Sequence, residues 1–182
     1  HAYAHLVVEP YPEKYIREVT LPGGLEVILR PIRPEDEPLE RAFLSEGSSR
    51  ESLYFRFFGQ VPNIDHSFLT RFTQFDYSRE MAIAALVADG KGSYHMVGVV
   101  RIVGELLQQA AEYAIIVADE IQGQGLGTVM TQYIMDIARD MGLRTLHASV
   151  LATNKPMIGL FKKLGFKLER EDFETYRVEM EL

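Results

Sequence analysis

The sequence predicts one mixed α/β (α+β) domain, with a mostly antiparallel sheet flanked by helices. Three observations carry that expectation. The chain has 182 residues, 47% of them hydrophobic, which suits a single sizeable core. Short β-branched runs bounded by turn residues recur along it, as hairpins do. One strand–helix–strand unit, from Tyr113 to Leu151, demands a crossover and therefore a parallel pair inside that sheet.

The elements follow in order. Residues 1–20 carry Pro10, Pro12 and the rings His1, Tyr3, His5 and Tyr11 without clear periodicity. They read as a linker or arm from an upstream region, and a chain opening on His rather than Met fits a fragment or a processed piece. The domain is then expected over 21–182. Residues 21–24 (Leu-Pro-Gly-Gly) form a turn, and Val27, Leu29 and Ile32 mark a strand over 25–33. Pro34 and three acids open a helix that carries Leu39, Phe43 and Leu44 on one face. Two more helical patterns lie within 48–75, the first dense in aromatics and the second built on Ile64, Phe68, Leu69 and Phe72; both read as core-facing. Arg56 and Arg71 there read as solvated or paired cations. Residues 81–88 and 94–103 form a hairpin around Asp89-Gly90-Lys91-Gly92.

The apolar run 113–117 is too short for a helix and reads as a strand buried on both faces. Gly123, Gly125 and Gly127 follow it. Val129, Met130, Tyr133, Ile134, Ile137, Ala138 and Met141 then recur at helical spacing up to Gly142, a natural stop. Glycines without Cβ atoms let the backbone approach a ligand closely, and the free N–H groups at the helix start favour an anion, most naturally phosphate. The lysine of a P-loop is missing and the spacing is not that of a dinucleotide-binding strand–turn–helix. Residues 145–151 form the strand after the helix. Residues 154–164 form a last helix ended by Gly165, and 166–170 with 175–180 a closing hairpin.

Composition narrows the function classes. A formal charge of −7 repels polyanions, so nucleic acid is not an expected partner, whereas a cationic substrate is suited. The chain lacks cysteine, which excludes disulfides and thiol nucleophiles and points to the cytoplasm. No apolar run approaches membrane-spanning length, and no membrane partner is expected. The five histidines lack metal-ligand spacing, so no metal is expected.

Gln122-Gly123-Gln124-Gly125-Leu126-Gly127 matches Q/R-x-x-G-x-G and resembles the pyrophosphate signature of the GNAT superfamily of acyl-CoA-dependent N-acyltransferases. The stretch from Asn154 to Phe166 resembles that superfamily's N-x-x-x-x-x-L-Y-x-K-x-G-F pattern. The resemblance implies a GNAT fold whose sheet splays after the Glu112 strand, leaving a slot for pantetheine. It implies acetyl-CoA as co-substrate, with backbone amides of Gln122, Gly123, Gln124, Gly125, Leu126, Gly127 and Thr128 on the pyrophosphate. Ile115, Ile116 and Val117 would run along the pantetheine, with a strand N–H such as that of Val117 polarising the thioester carbonyl. Asn154 and Phe161 would flank the co-substrate, with Asn154 serving as a helix N-cap as well; capping alone is the other reading of Asn154. Phe161 stands where the superfamily has a tyrosine proposed to protonate the leaving thiolate, so that role does not transfer.

Glu112, ten residues before the motif, matches the general base of lysine-acetylating members. An ammonium of pKa about 10.4 must lose a proton before its nitrogen attacks; a structural ion pair is the other reading of this carboxylate. The segments Leu29 to Pro38 and Glu51 to Phe58 resemble the GNAT domain of bacterial Pat-type protein lysine acetyltransferases. That implies a protein lysine acceptor, on an acyl-CoA synthetase, attacked directly on the thioester. A small amine, an amino acid or a protein N-terminus stays open as acceptor, as does a CoA-sensing module without turnover.

Overall fold

The computed structural model describes residues 10–105, 107 and 109–182. Eight strands form one sheet in the order β1-β2-β3-β4-β5-β6-β8-β7: β1 Arg17–Thr20, β2 Glu26–Pro31, β3 Glu80–Ala88, β4 Tyr94–Glu105, β5 Ala110–Val117, β6 Thr145–Leu151, β7 Lys167–Arg170 and β8 Thr175–Glu181. Every neighbouring pair is antiparallel except β5 with β6, as a helical crossover requires.

Five helices cover the sheet: α1 Glu37–Glu46, α2 Arg50–Arg56, α3 His66–Thr73, α4 Leu126–Asp140 and α5 Lys155–Lys163. Each start has a local cause. A 3₁₀ turn at Pro34–Asp36 leads into α1, and Ser49, Asp65 and Asn154 cap α2, α3 and α5 through side-chain oxygens on backbone N–H groups. The apolar stripe of α4 buries Leu126, Met130, Tyr133, Ile134, Ile137 and Ala138 against the sheet, and Gly142 at φ +83° ends the helix.

The two faces of the sheet carry different helices. Tyr113 on β5 meets Thr131 of α4 and Phe161 of α5, so α4 and α5 occupy one face. Arg101 on β4 meets Phe72 of α3 on the opposite face, where α1 and α2 also pack. On that second face Arg30 grips Asp36 through two charge-assisted bonds of 2.7 and 2.6 Å, and the Arg33 N–H donates to the same carboxylate at 2.9 Å. This pair gives the Arg30-to-Asp36 segment a packing role at the start of α1.

Two expectations change. The lead-in read as an arm is partly sheet: β1 pairs with β2 around a turn in which Gly24 sits at φ +96°, and Tyr15 is buried, its carbonyl accepting from the Tyr133 hydroxyl at 2.6 Å. Residues 1–9 lie outside the described residues. Nor is the 113–117 run buried on both faces. Tyr113 and Ile116 are buried, but Ala114, Ile115 and Val117 are only half-buried, because the neighbouring strand diverges there.

Candidate active site

The site begins where β5 and β6 part. They pair only through Ala110–Thr145, Ala111–Leu146 and Glu112–His147. Both strands continue, to Val117 and Leu151, without meeting again.

Register shows what the opening exposes. The Ala118 N–H donates to the Val97 carbonyl at 2.8 Å, so the even residues of β5 turn their main-chain groups to β4 and the odd residues to β6. The last rung engages the Tyr113 N–H. The Tyr113 carbonyl, both polar groups of Ile115 and the Val117 N–H then face the gap. Across it, the Ala152 N–H donates to the Glu174 carbonyl at 2.8 Å, which turns Ser149 and Leu151 toward β5 by the same logic. The interior of the sheet therefore holds two facing strand edges. Unpaired main-chain groups of this kind pair readily with an extended molecule carrying amides.

The β5 edge runs into a short 3₁₀ turn, Asp119–Ile121, and then the glycine segment. Among the described residues, no backbone N–H from Gly123 to Thr128 donates to a protein acceptor; the first bonded one is that of Val129, on the Gly125 carbonyl at 3.1 Å. Gly123 and Gly125 sit at φ +81° and +90°, the left-handed region, which lets six amides converge at the N-terminus of α4. Six free donors with the positive end of a 15-residue helix behind them fit a pyrophosphate. Gln122 is drawn into the turn. Its N–H meets the Asp119 carbonyl at 3.3 Å, and its side chain donates to the Val117 carbonyl at 3.0 Å and the Ser52 hydroxyl at 3.3 Å. Asp119 accepts from the Ser49 N–H and the Ser52 hydroxyl, both at 2.9 Å, which ties α2 to the mouth of the opening.

The α5 residues fall into place around this frame. Asn154 caps its helix, accepting from the Met157 N–H at 3.3 Å. Phe161 is 2% exposed, with its ring centroid 5.8 Å from that of Tyr113 and 4.9 Å from that of Phe166, so it forms part of the core beneath the gap. Gly127 faces α5 closely: a Cβ there would stand 3.6 Å from Leu160 Cδ2.

Glu112 occupies the last rung, exposed on the face of α1–α3. On the same face the charges of Glu40 and, more weakly, Glu112 act on Arg56, whose guanidinium lies 4.7 Å from the Phe57 ring centroid and 6.0 Å from that of Phe72. Burial, with the charge of Arg101 adding to it, pushes Arg56 down to about 10. Deeper on the same face, burial pushes the Glu40 carboxyl up to about 7, against the opposing pull of Arg101 and Arg56. Sequence reasoning passed over His147 and Glu105. His147 Nε2 lies 2.9 Å from Glu105 Oε1, beside Glu112. Only the strand register brings these three together, and no motif announces it.

Comparisons with known proteins bear on this geometry. The acetyltransferase (GNAT) family profile matches residues 49–166. An acetyltransferase of Pseudomonas aeruginosa is 32% identical over 159 residues, 87% of this chain and 84% of that protein. Acetyltransferase Pat of Mycolicibacterium smegmatis is 28% identical over 169 residues, 92% of this chain, which spans 45% of that protein's length. Among solved structures, the GNAT domain of S. lividans PAT superposes with a TM-score of 0.86 at 29% identity, over 95% of this chain and all of that one.

Proposed function

The chain belongs to the acetyltransferase (GNAT) family, whose members use acetyl-CoA, and from that membership we propose that it acetylates a protein lysine in the cytoplasm, on an acyl-CoA synthetase. The observation that carries the reading is the opening between β5 and β6, which leads straight into the free amides of Gly123 to Thr128. Likeness to the GNAT domain of S. lividans PAT and to Pat of M. smegmatis favours a protein acceptor, and the charge of −7 suits any cationic amine.

In this reading the amides at the start of α4 hold the pyrophosphate, and the Tyr113 carbonyl and both Ile115 groups pair with the amides of the pantetheine arm. The Val117 N–H is then left for the thioester carbonyl oxygen, where negative charge develops. Ile116 supports this edge from the opposite face, Asn154 keeps α5 in place beside it, and Phe161 packs below. Glu112, at the fork, takes one proton from the lysine ammonium. The neutral nitrogen bonds to the thioester carbon, the C–S bond breaks, and CoA leaves as thiolate while the second proton on nitrogen passes to solvent. Phe161 has no proton to give it.

The test is incubation with acetyl-CoA and purified acyl-CoA synthetases, following thiol release and mapping the modified residue by mass spectrometry. One acetylated lysine with stoichiometric thiol release supports the proposal. Release with polyamines or amino acids alone moves the acceptor to a small amine. Acetyl-CoA binding without release to any acceptor makes the domain a CoA sensor.

A further inference from the structure

We propose that His147 works through Glu112 as half of a proton-accepting pair, with Glu105 fixing the orientation and tautomer of its imidazole; this rests on the acetyl-transfer reading above. Glu112 and His147 are lateral neighbours on one face of the sheet, on strands that stand about 4.8 Å apart. Their side chains therefore share one patch at the fork. Glu105 sits on β4, one strand further away, opposite Ala110. The small Ala110 side chain lets the longer glutamate cross β5 and bring Oε1 to 2.9 Å from His147 Nε2. The imidazole is 14% exposed and the Glu105 side chain 42%, so the ring is sheltered while its partner reaches solvent.

The arrangement selects a tautomer. An ionised carboxylate only accepts, so Nε2 carries the hydrogen toward Glu105 and Nδ1 keeps its lone pair. Other charges around the ring are Glu112 on β5, Glu179 directly opposite on β8, and Arg177 and Glu181 as diagonal neighbours on β8; the charge of Glu112 in turn acts on Arg56 of α2. A ring that takes a proton on Nδ1 keeps its Nε2 bond to Glu105.

The acceptor ammonium loses one proton to Glu112, the C–N bond forms as the C–S bond breaks, the second proton on nitrogen passes to solvent as CoA leaves as thiolate, and the first proton moves from Glu112 to His147. The imidazolium, held by Glu105, then releases it to solvent. A carboxylate coupled to an imidazole accepts protons nearer neutral pH than a carboxylate alone, and base catalysis is most effective when the base titrates near the working pH.

The experiment compares His147→Ala, His147→Gln, Glu105→Gln and Glu112→Gln by steady-state kinetics across pH, with and without added imidazole. The pair predicts that His147→Ala loses about 10²-fold in kcat, with KM for acetyl-CoA unchanged, and regains activity as imidazole is added. His147→Gln moves the acid limb of kcat/KM to lower pH. Glu105→Gln moves it in the same direction and carries the test alone if the His147 variants fail to bind acetyl-CoA. Wild-type turnover and pH profile in His147→Ala and Glu105→Gln, while Glu112→Gln is slow, overturn the pair and leave Glu112 as a lone base. Wild-type turnover in Glu112→Gln removes the base reading itself, and the pair falls with it.

Discussion

Glu112 and His147 form the last rung between β5 and β6; one residue further along, Tyr113 and Ala148 no longer pair. This creates two strand edges inside an eight-stranded sheet, at the point where a carboxylate and an imidazole stand side by side. A gap of this kind leaves backbone donors and acceptors without partners, which in a closed sheet costs free energy for each group buried. A ligand that carries its own amides offsets that cost.

Ile115→Pro tests the edge directly. The Ile115 N–H faces the gap and takes no part in the β4 ladder, so proline deletes a donor without breaking a rung. The fold is expected to survive with a loss of roughly 1–3 kcal/mol from strand strain and lost packing. Calorimetry should show acetyl-CoA affinity falling at least about tenfold, the equivalent of one lost hydrogen bond. Unchanged affinity in the folded variant would mean that the ligand does not pair with this edge.

Much of this frame is legible in the sequence, for local reasons. The glycine turn and α4 are visible because alternate glycines precede a seven-member apolar stripe that Gly142 ends. The crossover, and with it the parallel β5–β6 pair, follows from element order. What escapes the sequence is set by pairing. β1 has four residues, Arg17 to Thr20, without apolar alternation, and forms because β2 lies across a turn from it. Ile115 and Val117 look as buried as Ile116, since apolar content does not report where a neighbouring strand diverges. His147 and Glu105 are 42 residues apart and meet only through register.

Glu40 predicts a pH dependence of stability. It is 4% exposed on α1, Oε2 lacks a partner, and burial raises its carboxyl from 4.5 to about 7. The folded state thus binds this proton more tightly than the unfolded chain. The contribution is fully present below about pH 4.5 and is lost as pH rises through about 7. Glu40→Gln keeps the shape and removes the titration. By urea unfolding it should match the wild type near pH 4.5 and exceed it at pH 8, by at most about 3 kcal/mol. An equal difference at both pH values would show that Glu40 does not titrate in this way.

Asp36→Ala removes the partner of a buried guanidinium. Arg30 is 9% exposed, and two of its bonds end on this carboxylate at 2.7 and 2.6 Å. Breaking such a pair leaves an uncompensated charge and is expected to cost about 3–5 kcal/mol, which lowers Tm by roughly 10 °C in a domain of this size. A loss under about 1 kcal/mol would mean that water reaches Arg30 and replaces the carboxylate.

The proposed role of Glu112, receiving the acceptor's proton at the fork of β5 and β6, is tested by the turnover of Glu112→Gln with a lysine-bearing acceptor at neutral pH. The substitution keeps size and polarity and removes the base. Turnover should fall by about 10²–10⁴-fold with acetyl-CoA affinity nearly unchanged. Raising the pH should restore part of it, because more of the amine is then already neutral. A folded Glu112→Gln protein that turns over at the wild-type rate at neutral pH would contradict this role and leave Glu112 a structural residue.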